Sequence, residues 1–81
     1  MKVQLRFFAT LRERVGKREA EHELVEGESV ADLWAALCAQ WPQLGDYSAS
    51  VSFAVNREYV DAAHKLREGD EVALIPPVSG G

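Results

Sequence analysis

Two consecutive glycines, Gly80 and Gly81, end the segment PPVSGG at positions 76–81 and carry its carboxylate. A carboxylate reacts with nucleophiles once it is a mixed anhydride such as an acyl-adenylate, from which a sulfur or amine donor displaces AMP. An enzyme that performs this reaction must enclose the last residues, and glycine has no Cβ to obstruct it. Pro76 and Pro77 favour an extended path, and six extended residues reach about 20 Å. We therefore predict that residues 76–81 are an extended reactive tail, in which Gly81 reacts and Gly80 allows threading into a partner's channel.

The side chains elsewhere offer little for catalysis. Cys38 is the single cysteine and lies on an apolar helical stripe, where a thiol packs as a small, buried hydrophobic group. His22 and His64 have no carboxylate or cysteine at a suggestive spacing, so no metal site is predicted. The six glycines lie at scattered turns and in the tail, and they form no phosphate-binding loop. We therefore expect this chain to bind no cofactor or metal of its own.

Composition indicates one small globular domain without affinity for nucleic acid or membrane. The chain has 81 residues, of which 47% are hydrophobic and 27% charged, and this length leaves room for one domain. A net charge of −4 argues against nucleic acid as a partner, because nucleic acid requires a clustered basic face. We find no apolar run long enough to span a membrane and no signal peptide, so we expect a cytoplasmic protein. The glutamates between positions 19 and 28 form either a solvated surface or a complement to a basic partner.

Hydrophobic periodicity predicts the elements that carry the tail. Residues 2–9 alternate apolar and polar side chains, as a half-buried strand does, until Phe8 places an aromatic ring on the polar face. Residues 10–15 predict one helical turn that ends at Gly16. Residues 19–25 predict a second strand, which we expect to pair antiparallel with the first.

One longer helix is predicted after these strands. Ser29 opens it, and Asp32 three residues later resembles the acidic partner of a capping box. Pro42 stops the helix, and residues 43–50 predict a loop. The apolar residues of the helix recur at helical spacing on one stripe, which consists of Val30, Leu33, Trp34, Leu37, Cys38 and Trp41.

Three further strands complete the predicted sheet. Residues 51–55 form one strand, a short return strand begins at Tyr59, and residues 71–75 form the last strand. The order β-β-α-β-β-β predicts an α+β fold, a ubiquitin-like β-grasp roll with a mixed sheet and one main helix packed on one face. A right-handed crossover places the last strand parallel to the first, with both central. Residues 1–75 are therefore predicted to form the β-grasp domain that precedes the tail.

The alternation of side-chain directions along the first and last strands predicts a docking surface. Val72 and Leu74 should face the helix, which directs Ile75 to the opposite face, where Phe8 also lies. Apolar residues clustered on an otherwise polar face commonly mark a partner site, unless a loop covers them. The predicted partner-binding residues are Phe8, Arg12, Tyr59, Ile75, Pro76, Pro77, Val78 and Ser79.

Two segments together resemble a known family. FFATLRERVG at positions 7–16 and LREGDEVALIPPVSGG at positions 66–81 are similar to the small subunits of molybdopterin synthase, the sulfur carriers of molybdenum-cofactor synthesis. The resemblance is strongest at both ends and weak across residues 17–50. Lys65 departs from the proline that many members have after the histidine, which affects a turn only.

The resemblance implies a β-grasp fold and a reaction at Gly81. An ATP-dependent activating enzyme, related to those that activate ubiquitin, would adenylate Gly81, and a sulfur donor would convert it to a thiocarboxylate. The tail would then insert into the large synthase subunit, where two carriers deliver two sulfurs to cyclic pyranopterin monophosphate within a heterotetramer. The catalytic side chains and the ATP site would belong to these partners, and this chain would be a sulfur-donating, non-catalytic subunit.

The same tail is compatible with other functions. The chain could carry sulfur to another product, such as a thiazole or a thiolated tRNA base. It could also be a protein modifier whose Gly81 forms isopeptide bonds with lysines. A plain interaction module with an irrelevant tail is a further alternative.

Overall fold

The computed structural model describes residues 1–77. The predicted roles of Val78, Ser79, Gly80 and Gly81 therefore lie outside the described residues. The elements in chain order are β1 (Lys2–Phe7), α1 (Ala9–Val15), β2 (Glu19–Glu23), α2 (Val30–Gln40), a 3-10 helix (Pro42–Tyr47), β3 (Ser52–Val55), β4 (Glu58–Val60) and β5 (Glu71–Ile75).

The strands form one five-stranded mixed sheet in the order β2-β1-β5-β3-β4. The strands β1 and β5 are parallel, with Leu5 opposite Val72, while β2 pairs antiparallel with β1. The strand β3 pairs antiparallel with both β5 and β4. The predicted α+β fold, with a parallel first and last strand inside the sheet, is confirmed.

The core lies between one face of the sheet and α2. Alternate strand residues point to this inner face because the side-chain period of a strand is two, and Val72 and Leu74 are fully buried there, as predicted. The ring of Trp34 on α2 meets Phe53 edge to face, with centroids 5.7 Å apart. Its indole N–H donates to Ser48 Oγ at 2.9 Å. The buried core residues from β1 and α2 are Val3, Leu5, Phe7, Val30, Leu33, Trp34 and Leu37.

The predicted capping box begins α2. The Ser29 N–H donates to Asp32 Oδ2 at 2.8 Å, and the Asp32 N–H donates back to Ser29 Oγ at 3.3 Å. The backbone hydrogen bond from Ser29, followed by its side-chain hydrogen bond, lowers the pKa of the Asp32 carboxyl from its ordinary value of 3.8. The ionised carboxylate therefore stabilises the helix start.

Two segments differ from the sequence predictions. The helix α1 begins at Ala9 and has 7 residues, so it is longer than the single turn predicted, and Phe8 is its N-cap rather than a strand residue. The loop predicted for residues 43–50 contains the 3-10 helix, whose Leu44 is fully buried. Pro42 cannot continue α2, but its fixed φ suits the first turn of a new helix. The buried Leu44 then fixes this turn against the core.

Two burial predictions also need correction. Cys38 packs against the core but is half-buried rather than buried. Pro76, assigned to the exposed tail and to partner binding, is buried, whereas Pro77 is exposed. Pro76 thus packs against the domain directly after Ile75, the last residue of β5.

Candidate functional site

The face of the sheet opposite α2 carries the candidate site. Strand register aligns one residue from each of four neighbouring strands on this face. Arg6 lies opposite Ala73, Ala73 opposite Ala54, and Ala54 opposite Tyr59. The two alanines in the middle leave a depression between the longer side chains of Arg6 and Tyr59.

This depression is a groove of about 220 Å³, which we call the outer groove. Phe8 is 38% exposed and Tyr59 is 74% exposed, so the groove has aromatic side chains open to solvent. The lining residues with apolar side chains, apart from the two alanines, are Phe8, Tyr59 and Ile75, and the charged ones are Arg6, Arg57 and Glu71.

Phe8 is held at the junction between β1 and α1. Its N–H donates to the Leu74 carbonyl at 3.3 Å, and its own carbonyl accepts from Leu11 N–H at 3.0 Å. The Arg6 guanidinium carbon lies 5.5 Å from the centre of the Phe8 ring, within range of a cation–π interaction. The next residue, Ala9, has φ 48, which turns the chain from the strand into α1.

A tight turn positions the other wall of the groove. Asn56 and Arg57 have φ 51 and 73, as a two-residue hairpin between β3 and β4 requires. The Asn56 side chain donates to Asp70 at 2.9 Å and accepts from the Glu71 N–H at 3.0 Å. These bonds fix the turn beside the start of β5, so Arg57 stands at that end of the groove and Tyr59 flanks its middle.

The tail leaves the domain at the opposite end of the same groove. Ile75 is the last residue of β5 and lines the groove. The buried Pro76 and exposed Pro77 follow it directly. The chain therefore leaves β5 at the end of the groove that Ile75 forms.

Phe8, Tyr59 and Ile75, which the sequence placed in a docking surface, are brought together in the groove. Arg12 is exposed on α1 but does not line it. Sequence reasoning missed Arg57 and Ala54, and it placed Arg6 and Ala73 on this face without counting them as site residues. The alternation of side chains along β1 and β5 is enough to place Arg6 and Ala73 on the outer face. Only the register of β1, β5 and β3 shows that these residues lie side by side.

The helix α1 is braced from its other side by the 3-10 helix. The Gln43 Nε2 group donates to the Arg14 carbonyl at 3.0 Å. Hydrogen bonds with the Thr10 side chain, and then with the Arg14 side chain, lower the pKa of the Tyr47 hydroxyl from its ordinary value of 10.0. These contacts hold α1, and hence Phe8 at its start, against the body of the domain.

The remaining candidates for chemistry stay apart. His22 is half-buried on β2, and His64 is exposed in the segment before β5. Within residues 1–77 there is no group of three or more metal-ligating side chains, and no helix is long and apolar enough to cross a membrane. A larger cavity of about 460 Å³, lined by His64, Lys65 and Asp70 among others, lies at the start of β5, away from the tail exit.

Comparison with known proteins assigns the chain to a family. The model of the ThiS family matches residues 5–81 of the chain. The chain belongs to the ThiS family. This membership covers both the domain that bears the outer groove and the Gly-Gly end.

Individual ThiS-family relatives are similar over their whole length. The molybdopterin synthase sulfur carrier subunit of Chlamydomonas reinhardtii is 42% identical over 83 residues, covering 100% of both chains. The human protein of the same name is 34% identical over 82 residues, covering 98% of this chain and 93% of its own. The resemblance inferred from the two end segments is thereby confirmed.

A solved structure confirms the fold of this ThiS-family member. The putative molybdopterin converting factor subunit 1 of Pyrococcus furiosus has a TM-score of 0.86 and 34% identity, covering 96% of this chain and 99% of its own. The ubiquitin-like β-grasp prediction is therefore right.

Proposed function

We propose that this chain is the sulfur-carrier subunit of a molybdopterin synthase, with Gly81 as the residue that carries sulfur. The observation that supports this most strongly is the end-to-end similarity, at 42% identity, to a protein with that name. The Gly-Gly end of the sequence and the outer groove beside the tail exit fit the same role.

Gly81 is loaded in two steps in this proposal. A carboxylate oxygen of Gly81 attacks the α-phosphorus of ATP on an activating enzyme, and pyrophosphate leaves. A donor then supplies sulfur at the oxidation level of sulfide, and this sulfur adds to the carbonyl carbon of Gly81. AMP leaves, and it keeps the carboxylate oxygen that had bonded to phosphorus. The product is a C-terminal thiocarboxylate, and glycine at this position leaves the carbonyl carbon open to attack.

Unloading takes place in the large synthase subunit. The thiocarboxylate sulfur forms a bond to a carbon of cyclic pyranopterin monophosphate and displaces an oxygen from that carbon, which leaves as water or stays on the phosphate. Water then hydrolyses the resulting thioester. Gly81 returns as a carboxylate that contains one oxygen from water. Two dithiolene sulfurs require two such transfers, and a heterotetramer of two small and two large chains supplies two carriers.

The chain itself contributes a reactive end and a docking surface, while ATP binding and side-chain catalysis belong to the partners. The activating enzyme and the large subunit both need the tail, and the tail leaves beside the outer groove. We therefore assign the groove to both partners, which bind in turn rather than together. The reaction sequence is assigned to the cytoplasm.

Intact-mass measurement tests this function. The purified chain is incubated with ATP, its activating enzyme and a sulfur source, and its mass should rise by the difference between sulfur and oxygen. Adding the large subunit and the pterin precursor should return the original mass and yield the dithiolene product. A chain lacking Gly81 is the control and should show neither change. Ladders of conjugates on the lysines of other proteins, with no thiocarboxylate, would instead identify a protein modifier.

A further inference from the structure

The strand β2 lies at one edge of the sheet, and within residues 1–77 it pairs with β1 alone. It has 5 residues, whereas β4 at the other edge has 3. A strand with a free side presents unpaired backbone N–H and C=O groups, with which another extended chain can pair. The longer edge of this sheet is therefore open to the addition of a strand.

Hydrogen bonds between β1 and β2 show which backbone groups of β2 are free. The Leu24 N–H donates to the Met1 carbonyl at 2.7 Å, and the Phe7 N–H donates to the Arg18 carbonyl at 2.9 Å. Bonded residues alternate along an antiparallel pair, so the even-numbered residues of β2 bond to β1. The odd-numbered residues direct their N–H and C=O groups to the free edge. These residues, which we call the edge glutamates, are Glu19, Glu21 and Glu23.

The side chains of the edge glutamates are exposed on the outer face of the sheet. Their register partners in β1 are, in the same order, Arg6, Gln4 and Lys2. The Gln4 Nε2 group donates to Glu21 Oε2 at 2.9 Å, while the Arg6 guanidinium lies against the Phe8 ring. Arg18 precedes β2 and adjoins only its first residue. Three carboxylates thus face two cations across the pair, which leaves negative charge beside the free edge.

This charge decides which kind of strand the edge accepts. A second copy that paired its own β2 about a twofold axis would set edge glutamates opposite edge glutamates, and like charges directly opposite destabilise a strand pair. A strand with Lys or Arg at every second position sets cations there instead. Its intervening residues would meet Ala20 and His22, which are half-buried on the inner face, so apolar side chains suit those positions.

We propose that the free edge of β2 binds an extended segment of another protein, with Lys or Arg at alternate positions and apolar residues between them. The segment adds a further strand to the sheet, and its cations lie beside the carboxylates of the edge glutamates. Backbone hydrogen bonds supply the affinity, and the alternating side chains supply the specificity. This inference goes beyond the proposed function, because no step at Gly81 uses β2 and because β1 separates β2 from β5.

Amide hydrogen exchange on the full chain tests the pairing. In the free protein the amides of Ala20 and His22 should exchange slowly and those of the edge glutamates fast, because only the first two bond to β1. A blocked hexapeptide that alternates lysine with valine, at saturating concentration, should slow exchange at the edge glutamates by about tenfold or more. A hexapeptide of the same composition with its lysines consecutive is the matched control, and it should leave these amides fast.

Charge reversal within the edge tests the side-chain half of the proposal. Glu21→Lys should weaken binding of the alternating peptide by about fivefold or more in an NMR titration, because it sets lysine opposite lysine. Glu13→Lys, exposed on α1, changes the net charge equally and should keep the affinity. The comparison of the two peptides uses the wild-type chain, so it does not depend on the folding of either variant.

Three results would overturn the proposal. The first is that neither peptide slows exchange at the edge glutamates, and the second is that both slow it equally, since net charge alone would then attract them. The third is protection that rises with protein concentration in the absence of peptide, which would identify a second copy as the occupant. Failure of the chain to acquire a thiocarboxylate would refute the proposed function and leave this inference standing.

Discussion

Tyr59→Ala should strongly weaken binding to the large synthase subunit. Tyr59 is 74% exposed, and a tyrosine side chain has roughly 200 Å² of accessible surface, so about 150 Å² is free to be covered by a partner. At about 25 cal/mol per Å², full coverage contributes at most ~3.7 kcal/mol. Polar desolvation and side-chain ordering reduce this figure. We therefore expect a loss of about 2 kcal/mol, or roughly a 30-fold rise in Kd.

The same substitution should hardly affect the fold. Only the remaining quarter of the Tyr59 surface contacts the domain, about 50 Å², which corresponds to ~1 kcal/mol or less of the free energy of unfolding. Val25 gives a matched control, because it is 73% exposed but follows β2 at the opposite edge of the sheet. Val25→Ala should leave the affinity unchanged.

Calorimetric titration of each variant into the large subunit gives Kd, and thermal melting gives the change in stability. If Tyr59→Ala bound within about twofold of wild type, the outer groove would have no place in the interface. The same conclusion would follow if Val25→Ala lost as much affinity, since exposure rather than position would then decide the effect.

Three other substitutions separate effects on function from effects on stability. Ile75→Asp should weaken binding to both the large subunit and the activating enzyme by at least ~2 kcal/mol with little change in Tm; unfolding would place Ile75 in the core instead. Cys38→Ala should keep sulfur transfer and lose about 1 kcal/mol of stability in denaturant titration; a folded but inactive variant would contradict the assignment of the chemistry to Gly81. Asp32→Asn should destabilise the domain at neutral pH. Because folding lowers the pKa of Asp32 from 3.8, its carboxylate stabilises the fold above that pH and stops doing so as the pH falls through the lower folded-state pKa. The difference in unfolding free energy between wild type and variant should therefore shrink in acid, and a pH-independent difference would argue against this cause.

Local periodicity was sufficient to predict most of the fold. The alternation in β1 and β5 identifies which side chains face α2, and the burial of Val72 and Leu74 agrees with it. The Ser29 and Asp32 spacing likewise predicts the start of α2, because a capping box depends on residues three apart. These features depend on neighbours in sequence, so one sequence contains the information needed to infer them.

The features that sequence reasoning missed depend on distant contacts. Pro42 correctly predicts the end of α2. The 3-10 helix that follows depends on the burial of Leu44 in the core, which the local sequence does not reveal. Pro76 looks like a tail residue until its burial is seen. The outer groove is more difficult to predict, because no local sequence pattern distinguishes Ala54 and Ala73. They form the floor of the groove only when β3 and β5 pair in the observed register.

The central position of β5 links the docking surface to the completion of folding. This strand bonds to β1 on one side and β3 on the other, so without it the sheet separates into two pairs of strands, each too small to be stable alone. It comprises Glu71–Ile75, and ribosomes add it after the other four strands of residues 1–77. The long-range pairing with β1 is a slow kind of contact to form. A partly made or misfolded chain therefore has no outer groove, and a partner that recognised the groove would act only on domains whose folding is complete.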